Sequence, residues 1–336
     1  MSSREPIDFV ITWVDGRDPA WLSEKRQYST QKLADNREVR YRDWELLRYW
    51  FRGVEKFAPW VRTIHFVTWG HYPEWLNTDN PKLHIVKHSD YIPQEYLPTF
   101  NSNAIESLFH KIEGLSEKFV YFNDDMFCLK DLTEQDFFQN GKVCDMLAFQ
   151  PVVANKDDPV MSCTMLNNSL VLAKYFDKRE NVKKQPGAYF NFGYPPLYFA
   201  YNFLELFFPK FTGFYSVHGP AALYKQTYRE LWEKEEQLFT KTSSSRFRNN
   251  ENITIYLIRE WQKLSGNFTP KNIHKYLAYY NVGEQDDLML NTIARQKRKF
   301  ICLNDGNNVN DFDRTKERIQ QAFEQILPEF SSFEKQ

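Results

Sequence analysis

The chain reads as an α/β protein built around a mostly parallel sheet. Three observations lead there. β-Rich apolar runs alternate with segments of helical spacing through the first third of the sequence, and acidic turns follow directly on several of those runs. The composition is that of a globular protein, 42% hydrophobic and 26% charged over 336 residues, a length that allows about two domains or one large domain with an insertion.

Residues 7–14 (IDFVITWV) form a nearly continuous apolar run, predicting a buried strand that ends at the turn Asp15-Gly16-Arg17-Asp18-Pro19. Leu46, Leu47, Trp50, Phe51, Val54 and Phe57 recur at helical spacing, and Pro59 marks the stop. Residues 63–68 and 84–86 read as two further strands. Ile105, Leu108, Phe109 and Ile112 predict the next helix, with Asn103 and Glu106 spaced as a capping box and Gly114 after it. Residues 118–122 (KFVYF) form a strand running into Asn123-Asp124-Asp125. In parallel sheets ligands bind beyond the carboxyl ends of the strands, where Asp15 and Asn123 to Asp125 would lie.

The middle differs. Residues 187–215 are dense in aromatics and broken by Pro195, Pro196 and Pro209, which predicts an insertion or lid. A charged helical stretch (228–237), a polar loop (240–250), a strand at 299–303 closing on Asn304-Asp305-Gly306, and a terminal amphipathic helix carrying Ile319, Phe323 and Ile326 complete the chain. The expected organisation is a nucleotide-sugar-binding α/β region (1–150), an insertion and acceptor region (151–245), and a segment completing the core (246–336).

Composition also excludes. Forty-three basic against 44 acidic residues give a net charge of −1, which argues against a nucleic-acid partner. No apolar run reaches the roughly 18 residues that span a bilayer, and Met1 to Pro6 opens no signal-peptide core. Cys128, Cys144, Cys163 and Cys302 form no C-x-x-C pair, so neither a zinc motif nor a disulfide framework is signalled. A reducing cytoplasm fits, and the sequons at Asn167, Asn252 and Asn267 then carry little meaning. Neither a G-x-G-x-x-G nor a Walker A sequence is present.

Adjacent carboxylates at a strand end suit a divalent cation that neutralises a diphosphate, which makes Asn123-Asp124-Asp125 the sharpest local signal. Asp305 repeats the pattern beyond a later strand. His218, in the turn His218-Gly219-Pro220, has the chemistry of a general acid or base, and Arg246 and Arg248 that of bidentate phosphate contacts.

Four segments together resemble the Stealth family of sugar-1-phosphate transferases. They are residues 7–16 with Asp18-Pro19; a long second segment holding Tyr41-Arg42-Asp43, 45–49, 58–62, 97–102, 104–107 and 122–125; a third from His218-Gly219-Pro220 to Arg246-Phe247-Arg248; and 300–305 (FICLND). Trp50, Phe51 and Trp69 depart from the family's usual residues, changes that bear on the nucleotide pocket.

The resemblance implies a Rossmann-like, GT-A-related core and catalytic positions at Glu106, Asp125, His218 and Arg248. It also implies a divalent metal, Mg2+ or Mn2+, and transfer of sugar-1-phosphate from a UDP-sugar to a hydroxyl of a growing capsular polysaccharide, releasing UMP. On that footing Asp124, Asp125 and Asp305 are the expected metal ligands. Trp13, Asp15, Asn123 and Asp305 are expected to contact the nucleotide sugar. Either His218 or Glu106 serves as base, and a phospho-histidine intermediate stays open. The partners expected are the UDP-sugar, an oligo- or polysaccharide acceptor and a capsule-assembly complex at the inner face of the plasma membrane. A metal-dependent glycosyltransferase releasing UDP, and a carbohydrate-binding module using the 187–215 aromatics, are the competing readings.

Overall fold

The computed structural model describes residues 5–29, 43–156, 158–305 and 309–335; Tyr41, Arg42 and Gly306 lie outside the described residues. β1 (Ile7–Thr12) is followed by α1 (Pro19–Tyr28), which Asp18 caps by accepting the Trp21 N–H, and by α2 (Leu47–Phe57). Next come β2 (Ile64–Thr68), β3 (Leu83–Lys87), α3 (His88–Tyr91), α4 (Ser102–Ser107) and β4 (Lys118–Phe122). A turn joins β4 to β5 (Met126–Cys128); β6 (Phe138–Gln139) and β7 (Lys142–Asp145) follow. A helical section holds α5 (Pro159–Tyr175), α6 (Lys178–Lys184), α7 (Pro186–Tyr189) and α8 (Pro196–Glu205). β8 (Ala221–Tyr224), α9 (Lys225–Lys234), α10 (Glu236–Ser243), α11 (Ile255–Leu264) and β9 (Phe268–Pro270) come next. The chain ends with β10 (Leu277–Asn281), α12 (Asp286–Ala294), β11 (Phe300–Asn304) and α13 (Phe312–Ile326).

The main sheet has the order β3-β2-β1-β4-β8, with β1 to β4 parallel and β8 antiparallel at the edge. The α/β core expected from the alternation is therefore present, with the Rossmann-like form that the resemblance implies. β1 sits centrally because it is apolar on both faces: Phe9, Val10 and Ile11 are fully buried between Ile64 to Phe66 of β2 and Val120 to Phe122 of β4. After β3 the chain crosses back past β1 to form β4. The order thus reverses between β1 and β4, opening a crevice at their carboxyl ends.

Several sequence expectations need correction. The helix predicted over 105–112 ends at Ser107 and gives way to a 3-10 turn at Phe109–Lys111. The capping box is absent: Asn101, not Asn103, is the N-cap, its side chain accepting the Asn103 N–H, and Glu106 points into a buried site. The strand expected near 300 is present and pairs with β10 and β5 in a second sheet. The charged stretch at 228–237 breaks at Glu235, and α10 occupies the start of the expected loop. Within the aromatic insertion, Pro196 starts a helix, because a first-turn proline forfeits no intrahelical bond. Asp158 and Pro159 start α5 the same way, a signal present in the sequence but not used above.

Trp50 and Phe51 are fully buried in α2 and pack on Phe122 and Phe66, respectively, so these departures serve the core rather than the cleft. Asn252 is also fully buried and bonded to Asn101, which accounts structurally for that sequon. No helix among the described residues is long and apolar enough to cross a membrane.

At the amino end of β1, Asp8 is wholly enclosed. Arg62 donates to its Oδ1 at 2.8 Å, the Ser116 N–H to its Oδ2 at 2.7 Å, and His65 Nε2 lies 3.0 Å from Oδ2. Burial works against its charge, but those bonds outweigh it and bring the carboxyl from 3.8 down to about 2. The folded value lies below the unfolded one, so the stabilisation is complete above pH 3.8 and disappears as pH falls toward 2. Unfolding free energy should lose about 2 kcal/mol across that window in the wild type. Urea titrations of Asp8→Asn should lack that loss; equal acid slopes in the two proteins would refute the assignment.

Candidate active site

A cleft of about 540 Å³ opens at the carboxyl ends of β1 and β4 and is lined by Trp13, Asn123, Asp124, Asp125, His218, Arg248 and Asp305, among others. These residues come from five distant parts of the chain. The β4–β5 turn supplies Asn123 to Asp125; its Asp125 carbonyl accepts the Leu303 N–H at 2.8 Å, tying it to β11 and bringing Asp305 alongside. β8 runs antiparallel to β4, which returns the turn carrying His218 to the same end.

His218 Nε2 lies 3.0 Å from Asp125 Oδ2, and His218 Nδ1 lies 3.1 Å from the Tyr256 hydroxyl. Burial disfavours the imidazolium, but the Asp125 carboxylate, followed by Glu106, overcomes it and raises the His218 pKa. Cys302 donates its S–H to the same Asp125 oxygen at 3.3 Å, while Asp125 Oδ1 is buried without a hydrogen-bond partner among the described residues. Asp124 lines the cleft as an exposed residue; desolvation by the surrounding protein, then the charges of Asp125 and Asp43, push its pKa up to about 7.

Helix α11 holds the segment that bears His218. Tyr256 meets its ring, Arg259 donates to the Val217 carbonyl at 2.5 Å, and Gln262 donates to the Ala222 carbonyl at 3.1 Å. Arg259 is itself paired with buried Asp145 at 3.0 Å. Tyr256→Phe should keep the fold and lower kcat by about three- to tenfold with KM unchanged, because one neutral hydrogen bond orienting the ring is lost. A shift in KM alone would show that Tyr256 contacts substrate instead.

Arg248 reaches the cleft through a loop pinned by Asn101, whose amide donates to the Ser245 carbonyl at 3.0 Å and to Asn252 Oδ1 at 2.9 Å. Its guanidinium donates to Ser102 Oγ at the start of α4. Glu106 lies behind this pair, only 5% exposed, and accepts the Tyr121 hydroxyl at 3.1 Å. Burial raises its pKa, against the opposing pull of Arg248. Arg246 turns away, its guanidinium 4.8 Å over the Tyr28 ring.

Not every expected residue converges. Asp15 does not line the cleft: its N–H donates to His71 and its carboxylate caps the Arg17 N–H. Trp13 lines the cleft but is largely buried, stacked on Phe66 at 5.7 Å with its face toward the core. Asp124 and Asp305 line the cleft yet fall outside the tight group of ligand atoms formed by Asp125, His218 and Cys302, which all lie within 4.8 Å of one another. Sequence reading missed Tyr121, Tyr256, Ser102 and Cys302. Tyr121 had a signal, as the one hydroxyl-bearing residue in an otherwise apolar strand end; Tyr256 had none.

Comparison with known proteins identifies the family. Stealth protein conserved region 1 matches residues 5–33 and conserved region 2 matches residues 40–146. A capsular polysaccharide phosphotransferase, WcwK, of Streptococcus pneumoniae is 40% identical over 338 residues, covering all of both chains. The exopolysaccharide phosphotransferase cps2G of Lactiplantibacillus plantarum is 37% identical over 331 residues, covering 98% of this chain and 96% of that protein. Among solved structures, mouse xyloside xylosyltransferase 1 overlaps with a TM-score of 0.37 at 12% identity, covering 90% of this chain and 98% of that one, a likeness too weak to argue from. With 40% identity running through the full length of both chains, this chain belongs to the Stealth family and is a phosphotransferase.

Proposed function

We propose that the enzyme transfers sugar-1-phosphate from a UDP-sugar to a hydroxyl of a growing capsular or exopolysaccharide, forming a phosphodiester and releasing UMP. The observation that carries this reading is the His218–Asp125 pair, 3.0 Å apart at the crevice between β1 and β4, with Arg248 lining the same cleft. Phosphoryl transfer needs positioning and charge neutralisation more than covalent help. The arginine fork suits the equatorial oxygens of the transferring phosphate, and the His218–Asp125 pair takes up the acceptor proton as a unit. Glu106, closed behind Ser102 and Tyr121, serves to hold Arg248 in place.

The residues present fit a divalent cation. Asp125 keeps a buried oxygen unpaired, and Asp124 and Asp305 line the same cleft. Asp124 and Asp125 would hold the ion, with Asp305 beside them, and Mg2+ or Mn2+ suits the carboxylates. Bound there, it supplies neutralisation of the donor diphosphate. A peripheral station at the inner face of the bacterial plasma membrane, with a capsule-assembly complex, completes the reading.

The test is to incubate the purified protein with a panel of UDP-sugars, Mg2+ or Mn2+ and short capsule-like oligosaccharides, and to identify the nucleotide released. UMP with a phosphodiester product is expected, abolished by EDTA and restored by either metal. UDP release would make the enzyme a glycosyltransferase and overturn the proposal.

A further inference from the structure

The segment around α8 exposes an apolar surface that the phosphotransferase reading does not use. Phe192 is 96% exposed and Phe207 74%, and Leu197, Phe203, Leu204 and Phe208 are each more than half exposed. Scattered exposed hydrophobes are ordinary, but a cluster this dense within 17 consecutive residues is not. The segment is also poor in negative charge. Between residues 181 and 229 the sole carboxylate is Glu205, which is buried and paired with Lys178 at 2.7 Å.

Basic residues stand at both ends of the patch. Lys178 donates to the carbonyls of Glu205, Phe208 and Lys210, which docks the start of α6 against the far end of α8. That contact brings exposed Arg179 and Lys210 to the rim, and Lys183 and Lys184 follow on α6. At the near end Asn272 donates to the Gly193 carbonyl and His274 stacks on Tyr198, which places exposed Lys275 alongside. Five exposed cations thus lie on this segment and the elements packed against it, against two exposed acids, Asp177 and Glu180, the latter paired with Lys183 at 3.0 Å.

We propose that this face docks on an anionic phospholipid bilayer, with the phenylalanine and leucine side chains seated among the acyl chains and the lysines at the headgroups. The proposal deepens the membrane part of the functional reading. α8 has 10 residues, about 15 Å of helix, so it lies in the interface and does not span. Charge favours this occupant over a second copy of the chain, since a self-complementary dimer would press like-charged rims together. His218 stands only 10 positions after Phe208, so a docked α8 keeps the catalytic turn within roughly 35 Å of the bilayer.

Co-sedimentation with vesicles of phosphatidylcholine containing about 30% phosphatidylglycerol, against pure phosphatidylcholine, tests this. The wild type is expected to pellet with the anionic vesicles and to be released by salt. Phe203→Ser/Phe207→Ser/Phe208→Ser should cut partitioning by about tenfold or more, and Lys183→Glu/Lys184→Glu should weaken only the anionic binding. Nucleotide release on a soluble acceptor should be unaffected by either variant, so failure of the transfer reading is registered separately. A wild type that stays in the supernatant, or variants that bind as it does, would overturn the proposal. So would a vesicle-free dimer that the serine variant dissolves, because a second copy would then cover the face.

Discussion

Asp125→Asn should lower kcat by about 10³-fold or more while leaving the protein folded. The substitution preserves shape but removes the charge that one oxygen presents to both His218 and Cys302. It therefore acts twice. The imidazole loses the partner that favours its protonated form, and the cleft loses the carboxylate best placed for a cation. Because Asp125 is part-exposed and its backbone carbonyl holds β11 independently, thermal unfolding should shift little. Product formation within tenfold of the wild type, at an unchanged melting temperature, would remove Asp125 from the chemistry.

Replacing Arg248 should be nearly as damaging, and Arg248→Lys should rescue little of the loss. An ammonium keeps the charge but cannot present two parallel N–H bonds to a phosphate, so kcat should fall by about 10²-fold even in the lysine variant. The Ser102 contact sharpens this expectation, since the guanidinium is already oriented before substrate arrives. Ser102→Ala should then cost far less than Arg248→Lys. If the lysine variant were fully active, the arginine would be serving only as a point charge, and the transferring phosphate would have to be bound elsewhere in the cleft.

How far these residues could be found in advance depends on how local their signals are. Asp124 and Asp125 are announced by an apolar strand running into an acidic turn, a pattern that short-range chemistry enforces. Arg248 has no such marker. It differs from Arg246, two residues away, only because Asn101 pins the loop so that one guanidinium meets Ser102 and the other a tyrosine ring. Glu106 shows the opposite hazard: its spacing from Asn103 imitates a capping box, yet the helix starts two residues earlier and turns that carboxylate inward to Tyr121. Asp15 was expected at the site because it follows β1, but its turn is closed by His71 and Arg17 instead.

By itself the sequence determined the parallel α/β core, the strand-end acidic turn and the family. Each of these is written in the period of apolar residues or in contiguous motifs, which are properties of neighbouring residues. Tertiary structure alone decided that β8 and β11 deliver His218 and Cys302 to Asp125, that Tyr256 faces the imidazole, and that Ser102 meets the Arg248 guanidinium. Those contacts join residues 93, 177, 38 and 146 positions apart, so they depend on the order in which strands pair and helices pack. The physical reason is range: hydrophobic periodicity acts over a few residues, whereas a catalytic site is assembled by closures that only the completed sheet makes.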